Sequence, residues 1–402
     1  MAKLKGNAVI GQSGGPTCVI NQSLVGVITE CRKHPEVKKL YGAVEGVKGI
    51  LNENFLDLFR EKPETLKHVA QTPGAALQSV RKKPTESECG QMFDIFKKYK
   101  VRYFFYIGGN DSAETANIVN EMAEEQGYEL RVFHIPKTID NDLLVTDHCP
   151  GYGTAAKFVA NAIAGDGLDN ESLQGIKLDI IMGRHAGFLT AAARLARTRK
   201  DSAPHLIYVP ERPFEMKRFL NDVDRVYTRL GRCLIAVSEG IADADGQPVF
   251  KSKEVDAHGN VQLSGSGALG DFLVAQIKAN LGTKLRVRSD TFGYLQRSFP
   301  GFASEVDARE ARQVGVRAAR FACRHDVDGS VAIRRKAGQK YEVEYFLTPL
   351  SSVARATKSL PGEFISYEGN DITEAFVEYA LPLLGKTPVV QKLAGYKVRK
   401  RK

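Results

Sequence analysis

No stretch of this chain approaches the length of uncharged apolar sequence needed to span a bilayer, so no membrane span is expected. The start, MAKLKGNAVIGQ, has basic residues but no long apolar core before a cleavage site, and no signal peptide is expected. Cys18, Cys31, Cys89, Cys149, Cys233 and Cys323 are scattered, with no CxxC pair, which fits reduced thiols in a cytoplasmic protein rather than a disulfide framework. HExxH and paired Cys/His spacings are absent, so zinc chemistry is not expected. Two nucleotide-binding patterns also fail. Gly385-Lys386-Thr387 resembles the end of a P-loop, but Ala380 takes the first glycine position and Pro382 interrupts the loop. Gly265-Ser266-Gly267-Ala268-Leu269-Gly270 matches the dinucleotide fingerprint literally, with Asp290 at a plausible distance, yet it follows a polar stretch rather than a buried strand.

What is present is ordinary for a water-exposed globular chain. Its 402 residues, 43% hydrophobic and 26% charged, can bury a full core, and two domains are expected. The net charge of +10 invites nucleic acid as a partner, but the excess is spread out and accompanies no recognised binding motif. Its one dense run, KVRKRK (residues 397–402), reads as a solvated tail. Small phosphorylated substrates would also favour positive clefts, and no nucleic-acid partner is expected.

Residues 101–142 organise the chain. VRYFFYI (101–107) is apolar and aromatic, as in a strand buried on both faces, and runs into Gly108-Gly109-Asn110-Asp111-Ser112 and a helical pattern. LRVFHI (130–135) reads as the next strand and empties into Pro136-Lys137-Thr138-Ile139-Asp140-Asn141-Asp142. Two polar loops therefore leave the carboxyl ends of neighbouring strands, where open α/β sheets hold ligands. One suits close backbone approach; the other carries a Lys and two Asp. That combination points to phosphoryl transfer.

The same unit recurs. A strand at 7–11 leads to Gly14-Gly15 and a helix from about Cys18 to Lys33, either an anion site or a tight turn that needs glycine; the second glycine turn at 108 favours the anion. KLDIIM (177–182) leads to Gly183-Arg184-His185-Ala186-Gly187 and another helix. Glu211 and Glu239 each follow an apolar strand, at the rim where the other loops lie. GAVEGVKGI (42–50) reads as a loop passing close to something, residues 243–263 as a surface excursion, and Asp328-Gly329 as a hairpin turn. Arg81-Lys82-Lys83 before Pro84 is either a solvated turn or the source of an arginine for a phosphate. Arg288, Tyr294 and Arg297 are either surface groups or a sugar-phosphate set.

Taken together and in order, Gly14-Gly15, GGNDS (108–112), PKTIDND (136–142), MGRHAG (182–187) and Arg288/Tyr294/Arg297 resemble the phosphofructokinase family over about residues 7–300. The resemblance implies an α/β fold of two Rossmann-like three-layer domains with mainly parallel sheets and the active site in the cleft between them. It places the larger, donor-binding domain at 1–150 plus about 296–325, the smaller sugar-phosphate domain at 151–295, and a C-terminal extension packing on both at 326–402. The implied reaction phosphorylates the 1-hydroxyl of fructose 6-phosphate. Family members that use ATP carry Gly where this chain has Asp111 and Lys137, so the chain is similar to the pyrophosphate-dependent branch, and Tyr294 fits that branch too. An ATP-dependent kinase and a regulatory subunit of low activity are the alternatives.

The resemblance also implies roles. Asp140 would be the base, sharing its loop with Lys137, Thr138 and Asp142. Gly14, Gly15, Arg81, Gly109, Asp111 and Ser112 would hold the donor. Met182, Gly183, Arg184, Glu239, Arg288, Tyr294 and Arg297 would hold the sugar phosphate, and Mg²⁺ is implied, with Asn110 and Asp111 as its ligands. Two positions depart from the family pattern. Asn110 replaces a metal-ligating Asp, shifting weight to Asp111 or Asp142. Gly175 stands where an Arg that reaches the 6-phosphate from a neighbouring subunit is usual, with Lys177 nearby. A homodimer or homotetramer in the cytoplasm, acting on pyrophosphate and fructose 6-phosphate, completes the expectation.

Overall fold

The computed structural model describes residues 4–250, 267–325, 327–338, 340–354, 356–387, 390, 391, 393 and 398. Most of the 243–263 excursion, residues 265 and 266 of the fingerprint match, and most of the basic tail lie outside them.

Eleven strands are described: β1 (Gly6–Gln12), β2 (Val37–Ala43), β3 (Phe55–Asp57), β4 (Val101–Gly108), β5 (Arg131–Pro136), β6 (Gly175–Ile181), β7 (Leu206–Tyr208), β8 (Arg232–Ser238), β9 (Val287–Thr291), β10 (Gly329–Arg335) and β11 (Val343–Thr348). They form two sheets. The first has seven strands in the order β11-β10-β5-β4-β1-β2-β3, and the second has four in the order β7-β8-β6-β9. β1 pairs in parallel with both β2 and β4, β4 with β5, and β5 with β10; only β3 and β11 run antiparallel, at the two edges. The second sheet is parallel throughout. The α/β class with mainly parallel sheets is therefore as the sequence implies.

β4 shows why an unbroken apolar run becomes a central strand. Side chains alternate across a sheet, so Tyr103 and Phe105 enter one cluster with β1, β5 and the helix Ile20–Cys31, while Phe104 and Tyr106 enter the cluster on the opposite face with the helix Glu86–Lys98. Helices cover both faces, and all four rings are buried. The helix Ile20–Cys31 crosses the helix Glu305–Arg324 at close range: a Cβ on Gly315 would sit 2.1 Å from Ser23 O, and one on Gly26 would sit 2.4 Å from Arg312 O. Only glycine at both positions lets those backbones touch. Around the second sheet, the helix Met216–Leu230 buries Phe219, Leu220, Val223 and Val226, an apolar stripe of helical period.

Three local expectations change. Gly46–Leu51 in the GAVEGVKGI stretch is a short helix, not a loop, with Gly46 at φ +56° beside Gln12 O. Asp328-Gly329 is not the hairpin turn: Gly329 opens β10, and the turn lies between Arg335 and Val343. β10 and β11, from the stretch expected to pack on both halves, join the edge of the first sheet, because β10 finds the free side of β5. The rest of that stretch includes the helix Glu374–Leu384, whose Phe376, Ala380, Leu383 and Leu384 pack with the helix Tyr152–Leu173.

Candidate active site

β1 lies between β2 and β4, so the chain leaves β1 to one side and later returns to the other. At such a switch point the loops at the carboxyl ends diverge and open a crevice. Here the loops after β1, β4 and β5 line one cleft of about 890 Å³ together with Val80–Lys83, Arg184, His185 and Thr357.

The first loop is held by its neighbours. Ser13 N–H donates to Ile107 O at 2.9 Å, Gly14 N–H to Val80 O at 3.1 Å, and Ser79 Oγ to Gly14 O at 2.6 Å. Gly14 has φ +74°, a conformation glycine adopts without a Cβ penalty. These bonds correct one expectation. The Gly14 amide is already used by Val80, and the helix begins only at Ile20, so Gly15 rather than the pair is left to offer an amide. The same bonds bring Arg81 to the cleft. Lys82 and Lys83 are engaged by Glu88 at 2.5 Å and Glu114 at 2.6 Å, whereas Arg81 has no ion-pair partner among the described residues.

Lys137 is the central cation. It is buried, and its Nζ donates to Gly15 O at 2.7 Å. Burial, and then the nearby Arg297, push its ammonium down from 10.5 to about 7, against the opposing pull of Asp140. Arg297 lies on the far side of the same loop: a Cβ on Gly15 would be 3.1 Å from its Cζ, and its guanidinium stacks 5.0 Å over the Tyr294 ring. Burial and the adjacent Arg81 lower its pKa as well. Lys137, Arg297 and Arg81 are therefore close enough to act on one another, a cluster of cations that Asp140 only partly offsets. Such a cluster attracts polyanions.

The carboxylates stand opposite. Asp140 is half-buried, its N–H held by Thr138 Oγ1 at 3.1 Å. Asp142 is pushed up to about 6, first by burial and then by Asp140. Asn110 opens the helix Asn110–Glu125, whose N-cap Gly109 supplies no side chain, so the positive end of the helix dipole faces the cleft beside Asp111 and Ser112. Asn110 Nδ2 donates to Asp142 Oδ2 at 2.9 Å, and its Oδ1 is buried without a partner. Behind them, neutral His134, lowered to about 4 by burial, bonds Gly108 O at 2.9 Å and holds the end of β4 in place.

From the second sheet come Met182, Gly183 and Arg184 after β6, and Glu239 after β8. Glu239 N–H bonds Ile181 O at 2.9 Å, and its side chain reaches Gly183 N at 3.5 Å. Not every expected residue gathers here. Arg288 is exposed on β9 beside Lys177 in the sheet register, its guanidinium on Val287 O at 2.9 Å, away from the carboxyl end. Lys177 does not replace the missing arginine: its ammonium is held by Asp166 and Asp169. The residues not anticipated are His185, which shares its motif with Arg184, and Thr357. Thr357 reaches the cleft through a bridge to Leu143 and the Lys358 N–H to Asp142 O bond of 2.7 Å, a long-range pairing with no local signal.

A two-sheet α/β protein with lysine and arginine side chains, three aspartates and a glycine-lined rim in the cleft at the switch point is of the class that handles small phosphorylated molecules. The chain belongs to the phosphofructokinase family, whose model matches residues 7–322. It is 52% identical over 401 residues to the pyrophosphate–fructose 6-phosphate 1-phosphotransferase of Rhodospirillum rubrum, covering 98% of each chain. To the enzyme of that name from Xanthomonas campestris it is 38% identical over 395 residues, covering 96% of this chain and 93% of that one. The solved pyrophosphate-dependent phosphofructokinase of Nitrosospira multiformis superposes with a TM-score of 0.86 at 32% identity, covering 97% of this chain and 95% of that one.

Proposed function

We propose that this chain transfers a phosphoryl group from pyrophosphate to the 1-hydroxyl of fructose 6-phosphate, giving fructose 1,6-bisphosphate and phosphate reversibly, within glycolysis and gluconeogenesis. The names of the similar proteins support the reaction. The observation that carries the choice of donor is Lys137: its ammonium occupies the space against Gly14 and Gly15, where a short, highly charged donor gains most and a nucleoside would be crowded.

In this reading residues 1–150 with about 296–325 hold the donor, 151–295 the sugar phosphate, and 326–402 form an extension. Asp140 takes the proton from the sugar hydroxyl as the phosphoryl group arrives. Phosphoryl transfer is mostly a matter of positioning and charge stabilisation, so Lys137, Arg297, Arg81 and the Gly15 amide do the larger share of the work. Arg184, Met182 and Glu239 orient the sugar, and Tyr294 supports Arg297 from beneath. The residues fit a magnesium ion, since Asn110 presents a buried, unpartnered amide oxygen beside Asp142 and Asp111. When bound there, the ion would neutralise diphosphate charge. Arg288, exposed and remote from the cleft of its own chain, fits a group donated to a neighbouring subunit, in keeping with a homodimer or homotetramer. Six buried, unpaired thiols support a reducing, cytoplasmic setting.

The test is purified protein with fructose 6-phosphate and Mg²⁺, comparing pyrophosphate with ATP. Turnover with pyrophosphate alone is expected; turnover with ATP alone would overturn the donor assignment.

A further inference from the structure

A second group of carboxylates lies outside the cleft. β6 and β9 are neighbours, with Asp179 paired to Asp290 in the register, so both side chains project from the same face of the second sheet. The helix Tyr152–Leu173 covers that face and contributes Asp166. One carboxylate oxygen from each of Asp166, Asp179 and Asp290 lies within 4.8 Å of the others.

Proximity of acids alone would mean little, but Asp179 adds an independent observation. Its side chain is buried, with 1% exposure, and both of its oxygens lack any hydrogen-bond partner; Asp166 Oδ2 is likewise buried and unpartnered. A buried carboxylate without donors is costly to maintain. The nearby Lys177 relieves it only through space, because its ammonium bonds Asp166 Oδ1 and Asp169 Oδ2 rather than Asp179. Asp290 is exposed and leaves the cluster open to solvent at the edge of the sheet.

We propose that Asp166, Asp179 and Asp290 form a binding site for one hard divalent cation of calcium size, separate from the cleft. All the donors are carboxylate oxygens, the set hard cations take, with neither His nor Cys to favour a softer metal. The three oxygens lie within 4.8 Å of one another, close enough to share one ion, and calcium's flexible shell accepts three carboxylates and water more readily than the near-ideal octahedron that magnesium demands. Water completes the shell from the Asp290 side. The ion ties together three elements that lead into the cleft: β6 runs into Met182–Arg184, β9 into the turn carrying Tyr294 and Arg297, and the helix Tyr152–Leu173 follows the loop that carries Lys137 and Asp140. Its occupancy thus braces the sugar-binding half from below.

The test is calorimetric titration of the chelator-treated full chain with Ca²⁺ alone, without substrates, alongside thermal unfolding. The wild type is expected to bind one Ca²⁺ and to melt higher with it; at a hundredfold excess over Kd the folded-to-unfolded ratio rises about 100-fold. Asp179→Asn is expected to lose the binding while melting no lower than the wild type in chelator, since it replaces a buried carboxyl that has no hydrogen-bond partner. Asp290→Asn, at an exposed position that folding tolerates, is expected to weaken Ca²⁺ binding at least about tenfold. Absence of binding in the wild type, or unchanged binding in Asp290→Asn, which would assign the ion to the cleft, overturns the proposal.

Discussion

Asn110 donates from Nδ2 to Asp142 Oδ2 at 2.9 Å, which fixes the orientation of its amide and leaves Oδ1 as an unpartnered acceptor at the edge of the cleft. An amide at this position therefore has two uses that an aspartate would lack. It presents a neutral acceptor oxygen, and it donates to a carboxylate that a second negative charge would repel.

Asn110→Leu removes both uses. Turnover should fall at least about tenfold, with a higher Mg²⁺ concentration needed for half-maximal rate. An unchanged Mg²⁺ requirement would take Asn110 out of the metal's ligand set.

Asp140→Asn keeps size and hydrogen-bonding shape while removing basicity. Turnover should drop by about 10²–10⁴ with little change in melting temperature. Rates near those of the wild type would remove Asp140 from the base role.

Replacing Lys137 by Gly takes away the buried ammonium on Gly15 O. Loss of one preorganised donor of this kind should cost about 10²–10³ in turnover with pyrophosphate. With Asp111→Gly added, space opens for a nucleoside, and the ratio of kcat/KM for ATP over pyrophosphate should rise by orders of magnitude. No change in that ratio would mean that donor choice lies elsewhere.

Lys137 titrates at about 7 in the free cleft. A bound polyanion favours its charged form, so pyrophosphate binding should take up a proton near and above neutral pH and tighten as pH falls through about 7. Calorimetry in two buffers of different ionisation heat measures the uptake. Binding without proton uptake at pH 8 contradicts the assignment.

The raised pKa of Asp142 acts on stability in the opposite sense to an ion-paired carboxylate. The unfolded chain releases its proton near 3.8 and the folded chain near 6, so folding takes up a proton between those values. Its contribution is most favourable below about pH 4, is lost as pH rises to about 6, and stays lost above. Asp142→Asn should therefore stabilise the metal-free protein at pH 8 by about 2–3 kcal/mol while abolishing turnover. Denaturant unfolding at pH 5 and pH 8 checks this, and a variant less stable than wild type at pH 8 would contradict it.

Much of the fold can be read along the chain because its signals are local. The apolar run of residues 101–107, the glycine pairs at strand ends and the helical stripes each depend on neighbours a few residues away. The strands read at 7–11, 101–107, 130–135 and 177–182 accordingly moved by no more than two residues, whereas β2, β3 and β9 carried no strand reading. The loops 108–112 and 137–142 were placed at one cleft because both leave the carboxyl ends of adjacent parallel strands. The hairpin turn was misplaced because Asp-Gly at 328–329 has turn chemistry, yet β10 begins there to reach β5.

By itself, then, the sequence determined the repeated strand–glycine turn–helix units, the identity of Lys137, Asp140 and Asp142 as the polar groups at a strand end, and the absence of a P-loop. Only the tertiary structure decided that Gly14 spends its amide on Val80, that Arg297 stands against Gly15 while Arg288 does not, that Thr357 reaches the cleft, and that Asp166, Asp179 and Asp290 converge on one face. Local periodicity follows from backbone geometry and is written in adjacent residues. Which amide pairs with which distant carbonyl, and which side chains meet across a sheet and its covering helix, depends on how those elements pack, and no stretch of neighbours encodes it.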